Sequence, residues 1–167
     1  MNFTNPRAEK SRSQSKNNQE TQFRISYTAT GQELIYGYVP VGIDLAGRKF
    51  QVCFYNEDNE LVNTTLDKYE LRRFIADSHQ KLLISMEGCT GSSCWAEYAI
   101  AHGHKAVVLD ARAIKNRKAQ KDDFNDAFFI REALFTHYQT CRIRTQEEID
   151  LKSFYAQREQ YIKSLNA

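Results

Sequence analysis

Four acidic residues stand where the surrounding sequence gives a carboxylate little reason to be. Asp44 follows Val41-Gly42-Ile43 inside an apolar run, and Glu87 closes the run Leu82-Leu83-Ile84-Ser85-Met86. Asp123 and Asp126 lie three residues apart, on one face if the segment is helical. An ionised carboxylate in an apolar strand costs several kcal/mol unless a cation or a donor compensates it. Four such groups at one sheet edge would repel one another unless Mg²⁺ or Mn²⁺ bound them through hard oxygen ligands. Two such ions roughly 4 Å apart are a common device for phosphodiester chemistry, one activating the nucleophile and the other stabilising the leaving oxygen. Taken singly, each acid also has an ordinary structural use. Asp44 could open the Ala46-Gly47 turn, and Glu87 could cap the loop Gly88-Cys89-Thr90-Gly91. Asp122, Asp123 and Asp126 could serve the dipole of a first helical turn. The case for a site rests on the four together, each at the end of a successive element.

Between Asp110 and Asp123 runs a basic stretch, with Arg112, Lys115, Arg117, Lys118 and Lys121. Its place directly before the acidic pair would set cations beside a metal site, suited to a phosphate backbone; a solvated loop has the same composition. Trp95 and Tyr98 read as core residues rather than base-stacking platforms. Of the four cysteines, only Cys89 and Cys94 are close, and their gap is not that of a zinc ribbon. His102 and His104 fall in a turn, and scattered thiols fit a reducing compartment better than a disulfide scaffold.

The elements that must position these groups follow from pattern. The run from Val39 to Ala46 is a buried strand by content, and Arg48 to Tyr55 alternates with Phe50, Val52 and Phe54 on one face. Ala46-Gly47-Arg48 joins the two as a hairpin, and Leu61 to Leu66 forms a third strand. Asp67 caps a helix from Lys68 to Ser78. Lys81 to Glu87 is a strand, Ser92 to His102 a helix closed at Gly103, and Lys105 to Asp110 another strand. Asp122 to about Phe135 has a largely apolar band at helical spacing, and Thr145 to Leu165 has a second helical rhythm. The order β-β-β-α-β-α-β-α predicts an α/β fold with a mixed sheet and flanking helices, the layout of a ribonuclease-H-like domain, followed by a C-terminal helix.

The chain of 167 residues is 41% hydrophobic and 26% charged, close to a globular average, which excludes a fibrous or wholly disordered protein. No run approaches the roughly 18 apolar residues of a membrane helix, and residues 1–16 have no apolar core of a secretory signal. A net charge of +2 does not by itself announce a nucleic-acid binder. Residues 1–38 read as a polar tail, residues 39–136 as the catalytic domain, and residues 137–167 as a linker and the start of a long helix. The composition points to a cytoplasmic protein.

The stretches Val41-Gly-Ile-Asp44-Leu-Ala, Met86-Glu87-Gly-Cys-Thr-Gly-Ser-Ser-Cys-Trp95-Ala, Gly103-His104-Lys-Ala-Val-Val and Lys121-Asp-Asp123-Phe-Asn-Asp126-Ala127 resemble the N-terminal RuvC-like domain of insertion-sequence-110 family transposases. These are DEDD enzymes related to the Piv invertases. Order and spacing agree through about Leu134, and weaker similarity continues into the last helix. The resemblance implies that Asp44, Glu87, Asp123 and Asp126 are metal-binding carboxylates for Mg²⁺ (or Mn²⁺), with Lys121 and Arg117 steadying phosphate. It implies metal-dependent DNA strand cleavage and transfer, a nucleoid-associated place in a bacterial cell, and in many members a guiding bridge RNA. It further implies pairing of copies through the C-terminal helix in a full-length relative. The chain departs from the pattern at Leu109-Asp110-Ala111, where the family has a proline-containing segment, and at Gly88 and Thr90. The family's C-terminal domain with its nucleophilic serine has no counterpart in these residues, so a truncated copy is expected. A catalytically inert remnant that binds nucleic acid or a partner protein is the alternative, and loss of a carboxylate would mark it. The segment Gly42 to Gly47 also looks like the phosphate loop of an actin-like sugar kinase, a fold that needs two such domains and hence more chain.

Overall fold

A computed structural model describes residues 24–111, 123–136 and 139–165, the side chains of residues 123–125 excepted. The basic stretch Arg112 to Lys121 and the first 23 residues of the expected tail lie outside the described residues. A small antiparallel hairpin, β1 (Ile25–Tyr27) and β2 (Glu33–Ile35), precedes the main sheet. That sheet contains β3 (Val39–Asp44), β4 (Phe50–Tyr55), β5 (Leu61–Leu66), β6 (Leu82–Glu87), β7 (Lys105–Leu109) and β8 (Thr140–Cys141). Four helices accompany it among the described residues: α1 (Lys68–Ala76), α2 (Ser92–Ala101), α3 (Asp123–Glu132) and α4 (Gln146–Leu165).

The strand order is β5-β4-β3-β6-β7-β8, with β3, β6 and β7 parallel and the flanking pairs antiparallel. This is the α/β layout of a ribonuclease-H-like domain that the element order predicts. The two central strands explain the pattern: β3 and β6 each have five buried residues in succession and end on a half-buried acid. Pro40 is tolerated in β3 because the antiparallel register with β4 begins only at Val41↔Phe54.

Strand alternation sorts the core into two layers. Val39, Val41 and Ile43 of β3, Leu82, Ile84 and Met86 of β6, and Val52 of β4 pack against Leu71 and Ile75 of α1 and Ala96 and Ala99 of α2. The other face takes α3, with Ile130 against Leu109, and with Leu134, just beyond the helix, against Leu83 and Ile35. Asp67 caps α1 as expected, accepting from the N–H groups of Tyr69 (2.7 Å) and Glu70 (2.9 Å), while Glu70 returns a bond to the Asp67 N–H.

The part of the expected tail that is described, residues 24–38, is part of the folded body. Ile35 and Gln32 are fully buried, the amide of Gln32 donates to Tyr55 O (2.8 Å), and Glu33 pairs with Arg131. Composition hid this because a three-residue strand with one buried apolar side chain has no period to read. The two-residue β8 and the hairpin are the described strands that the pattern does not predict. By contrast α4 buries nothing: Leu151, Phe154, Tyr155, Tyr161, Ile162 and Leu165 are exposed along it. No described helix is long and apolar enough to cross a membrane.

Candidate functional site

Asp44 and Glu87 stand at the carboxyl ends of neighbouring parallel strands, each one step beyond the paired residues Ile43↔Met86. Alternation puts positions 42 and 44 of β3 and 83, 85 and 87 of β6 on the α3 face of the sheet. The two acids therefore share a sheet edge and a face. Both raise the Cys89 thiol above its ordinary range, although burial of that thiol is the larger cause.

The helix α3 is locked onto this face by contacts that leave no room for a different register. A Cβ on Gly42 would lie 2.1 Å from Ala127 O and 2.5 Å from the Arg131 N, so only glycine lets the helix backbone come this close. The buried Ser85 hydroxyl lies 3.0 Å from Val41 O and 3.0 Å from Ile130 O, and its one proton is shared between strand and helix. Leu134 sits by Leu83, Ile130 by Ser85 and Ala127 by Gly42, so α3 runs antiparallel to β3 and β6. Its N-terminus accordingly points to the strand ends that carry Asp44 and Glu87. Position 123 lies about 10 Å up the helix from Ile130, and Asp44 lies about 10 Å along β3 from Val41, so the two come level. Asp126 sits on the way, half-buried, with its Oδ1 shielded from solvent.

The fold thus brings Asp44, Glu87, position 123 and Asp126 to one end of one sheet face. Among the described residues no three His, Cys, Asp or Glu side chains are grouped closely enough to hold a metal ion, and the Asp123 side chain lies outside the description. Asp44, Glu87 and Asp126 are each engaged in a polar or electrostatic interaction. By type the set fits a hard divalent cation, since all its donors are carboxylate oxygens. Asp110 is the residue just beyond β7, where its N–H donates to Gln139 O (2.8 Å). Continued alternation sets it with Ala106 and Val108, on the face away from α3.

Three residues that support the site carry no acid and escape a search for catalytic types: Gly42, Ser85 and Arg131. A glycine and a serine inside otherwise apolar strands are their signal. Arg131 is 1% exposed; its guanidinium pairs with Glu33 (3.2 Å) and Glu132 and packs over the rings of Tyr55 (4.7 Å) and Phe135 (4.9 Å). His104, a matching position of the resemblance, is structural. Its Nε2–H donates to Ile75 O (2.7 Å) and its Nδ1 accepts from Leu82 N (3.2 Å), pinning the start of β6 to α1. Trp95 packs edge-on against Phe50 (5.3 Å) and Tyr98 (6.1 Å) at the margin of the core, as expected.

No curated protein matches the chain. A transposase family, the DEDD type of insertion sequence 110, matches residues 41–167, from the third residue of β3 to the last residue. That span covers every element that builds the site, and the chain belongs to this transposase family.

Proposed function

We propose that the sheet end formed by β3, β6 and α3 is the metal-dependent strand-cleavage centre of a DEDD transposase. Asp44, Glu87, Asp123 and Asp126 would hold Mg²⁺ (or Mn²⁺). When bound, such ions supply charge neutralisation at a scissile phosphate and lower the pKa of a coordinated water or hydroxyl. The chain's own contribution is placement. The parallel register of β3 and β6 fixes two carboxylates side by side, and the Gly42–Ala127 and Ser85–Ile130 contacts fix the helix that brings the other two. What supports the reading is that the strand ends carrying Asp44 and Glu87 and the N-terminal part of α3 meet at one end of the sheet, in a chain whose family acts in DNA transposition. Lys121 and Arg117 belong to the same proposal as phosphate-steadying cations, a bridge RNA as a guide, and the exposed apolar residues of α4 as the side on which a second copy packs.

The test is metal binding and DNA nicking by the full chain. Titration calorimetry with Mn²⁺ should show binding that Asp44→Asn and Asp126→Asn each weaken at least tenfold, and nicking of supercoiled plasmid in Mg²⁺ should fall at least 100-fold in both. Unchanged Mn²⁺ binding in both variants, with circular dichroism confirming that they are folded, would remove the carboxylates from the site.

A further inference from the structure

The family reading leaves open how a nucleic-acid strand reaches the carboxylates, and the expected basic stretch lies outside the described residues. A second group of cations has no part in that expectation. The cleft between the loop Gly88–Gly91, β8 and the first turns of α4 has a volume of about 600 Å³; Gly88, the residue after Glu87, lines it together with Val108, on the face of the sheet away from α3. Arg142, Arg144 and Lys152 line it, and no carboxylate does. Arg142 is paired with Glu148 at the rim; among the described residues neither Arg144 nor Lys152 has a carboxylate within ion-pairing distance. Ser92, Ser93 and Cys94 of the first turn of α2 complete the wall, and that turn contains no acid.

Across the loop lies a second cleft of about 430 Å³, which shares Cys89, Thr90, Gly91 and Cys94 with the first. Its cations are Lys68 and Arg72, it again has no carboxylate, and its floor is apolar, with Phe50, Trp95 and Tyr98. The charged residues that line the two clefts flanking the loop are all cations, with Glu148, paired to Arg142, as the acid at the rim. Cation-lined clefts on both sides of the loop suit a polyanion that passes over it.

The geometry points to the cleft between α2, β8 and α4 as the track for the sugar–phosphate backbone of a nucleic-acid strand, with Arg144 and Lys152 as its phosphate contacts. The inference rests on the proposed strand-cleavage centre for its direction, because the track runs along the loop that follows Glu87 in the chain, but it concerns binding and is read without catalysis.

The experiment is fluorescence anisotropy of labelled 20-nucleotide DNA and RNA single strands against the full chain, from 50 to 300 mM KCl. Arg144→Gln with Lys152→Gln should weaken binding about three- to tenfold at 100 mM salt and reduce the slope of log K against log salt by about 1.4, the loss of two single-strand phosphate contacts. The strand on which this change appears identifies the occupant as DNA or RNA. Arg158→Gln with Lys163→Gln, further along α4 and outside the cleft lining, removes the same charge and should leave the slope unchanged. All four residues are exposed, so the variants keep the fold. Cys89, Cys94 and Cys141 line the cleft and are exposed, whereas Cys53 is buried. An oligonucleotide bearing an activated disulfide on one phosphate should therefore be captured, and Cys89→Ser, Cys94→Ser and Cys141→Ser together should abolish most of the capture. Equal affinity and slope in the Arg144/Lys152 variant, or equal losses in the distal control, would overturn the track. Asp44→Asn separates the two readings: it should retain the salt slope and the capture while losing nicking. Loss of nicking in Asp44→Asn with no effect of Arg144/Lys152 would sink the track alone.

Discussion

Cys53 shows how far a single position is set by its surroundings. It faces α3 from the middle of β4, fully buried, and burial pushes its thiol up to about 11; the nearby Arg131 lowers it and Glu132 raises it. The native thiol therefore keeps its proton where an unfolded cysteine, near 9, has begun to lose it. A raised pKa on an acid favours the native state fully below pH 9, and that advantage is lost as pH rises from 9 towards 11. Urea midpoints of the wild type should fall more steeply over that window than those of Cys53→Ala, and equal slopes would contradict the assignment. A thiol reagent at pH 8 should modify Cys89, Cys94 and Cys141 in the native chain and Cys53 only after unfolding. Asp44 and Glu87 were legible as residues, because a carboxylate ending an apolar run is anomalous in composition alone, and Asp123 and Asp126 by their spacing of three. Asp110 is anomalous in the same way, and only strand alternation sets it apart from the others.

Among elements, the contact of α3 with β3 decides most. Asp123 and Asp126 of the proposed centre are on this helix, and its height is fixed by backbone contact at Gly42 and by the Ser85 hydroxyl. Gly42→Ala forces the helix to move by more than an ångström or to detach, which should cost about 1–3 kcal/mol of stability or more. The same variant should lose metal-dependent nicking beyond what that destabilisation explains, since Asp123 and Asp126 shift with the helix; full nicking in a destabilised protein would show that the placement is not critical. Apart from β8, the strands and helices of residues 39–165 were legible because each has an apolar run, a period or a cap to read. The paired registers were not, because a register is a choice among partners distant in sequence.

At the scale of the whole molecule, the N-terminal hairpin clamps the side of the domain opposite the carboxylates. Ile35 completes the cluster with Leu83 and Leu134, and Glu33 faces the buried guanidinium of Arg131. A chain begun at residue 39 leaves that cation short of one partner and uncovers the cluster. Breaking a buried ion pair from one side typically costs about 3–5 kcal/mol, and a loss of this order is expected in the urea unfolding free energy of the shortened chain. A chain begun at residue 24 retains the hairpin. A shortened chain begun at 39 with wild-type stability would make the hairpin an ornament.

Sequence by itself determined the element types, the α/β class, the anomalous acids and the transposase resemblance, since these depend on local period, local chemistry and residue order. The fold alone decided that Asp44 and Glu87 lie side by side, that α3 runs antiparallel to them, and that residues 24–38 belong to the body. It also decided that Arg144 and Lys152 share a cleft with the loop that follows Glu87, a residue 57 and 65 positions away along the chain. The physical reason is the same in each case. Proximity between distant segments comes from buried contacts such as Gly42 against Ala127, whose strength depends on both surfaces at once and leaves only a faint mark on either stretch of sequence.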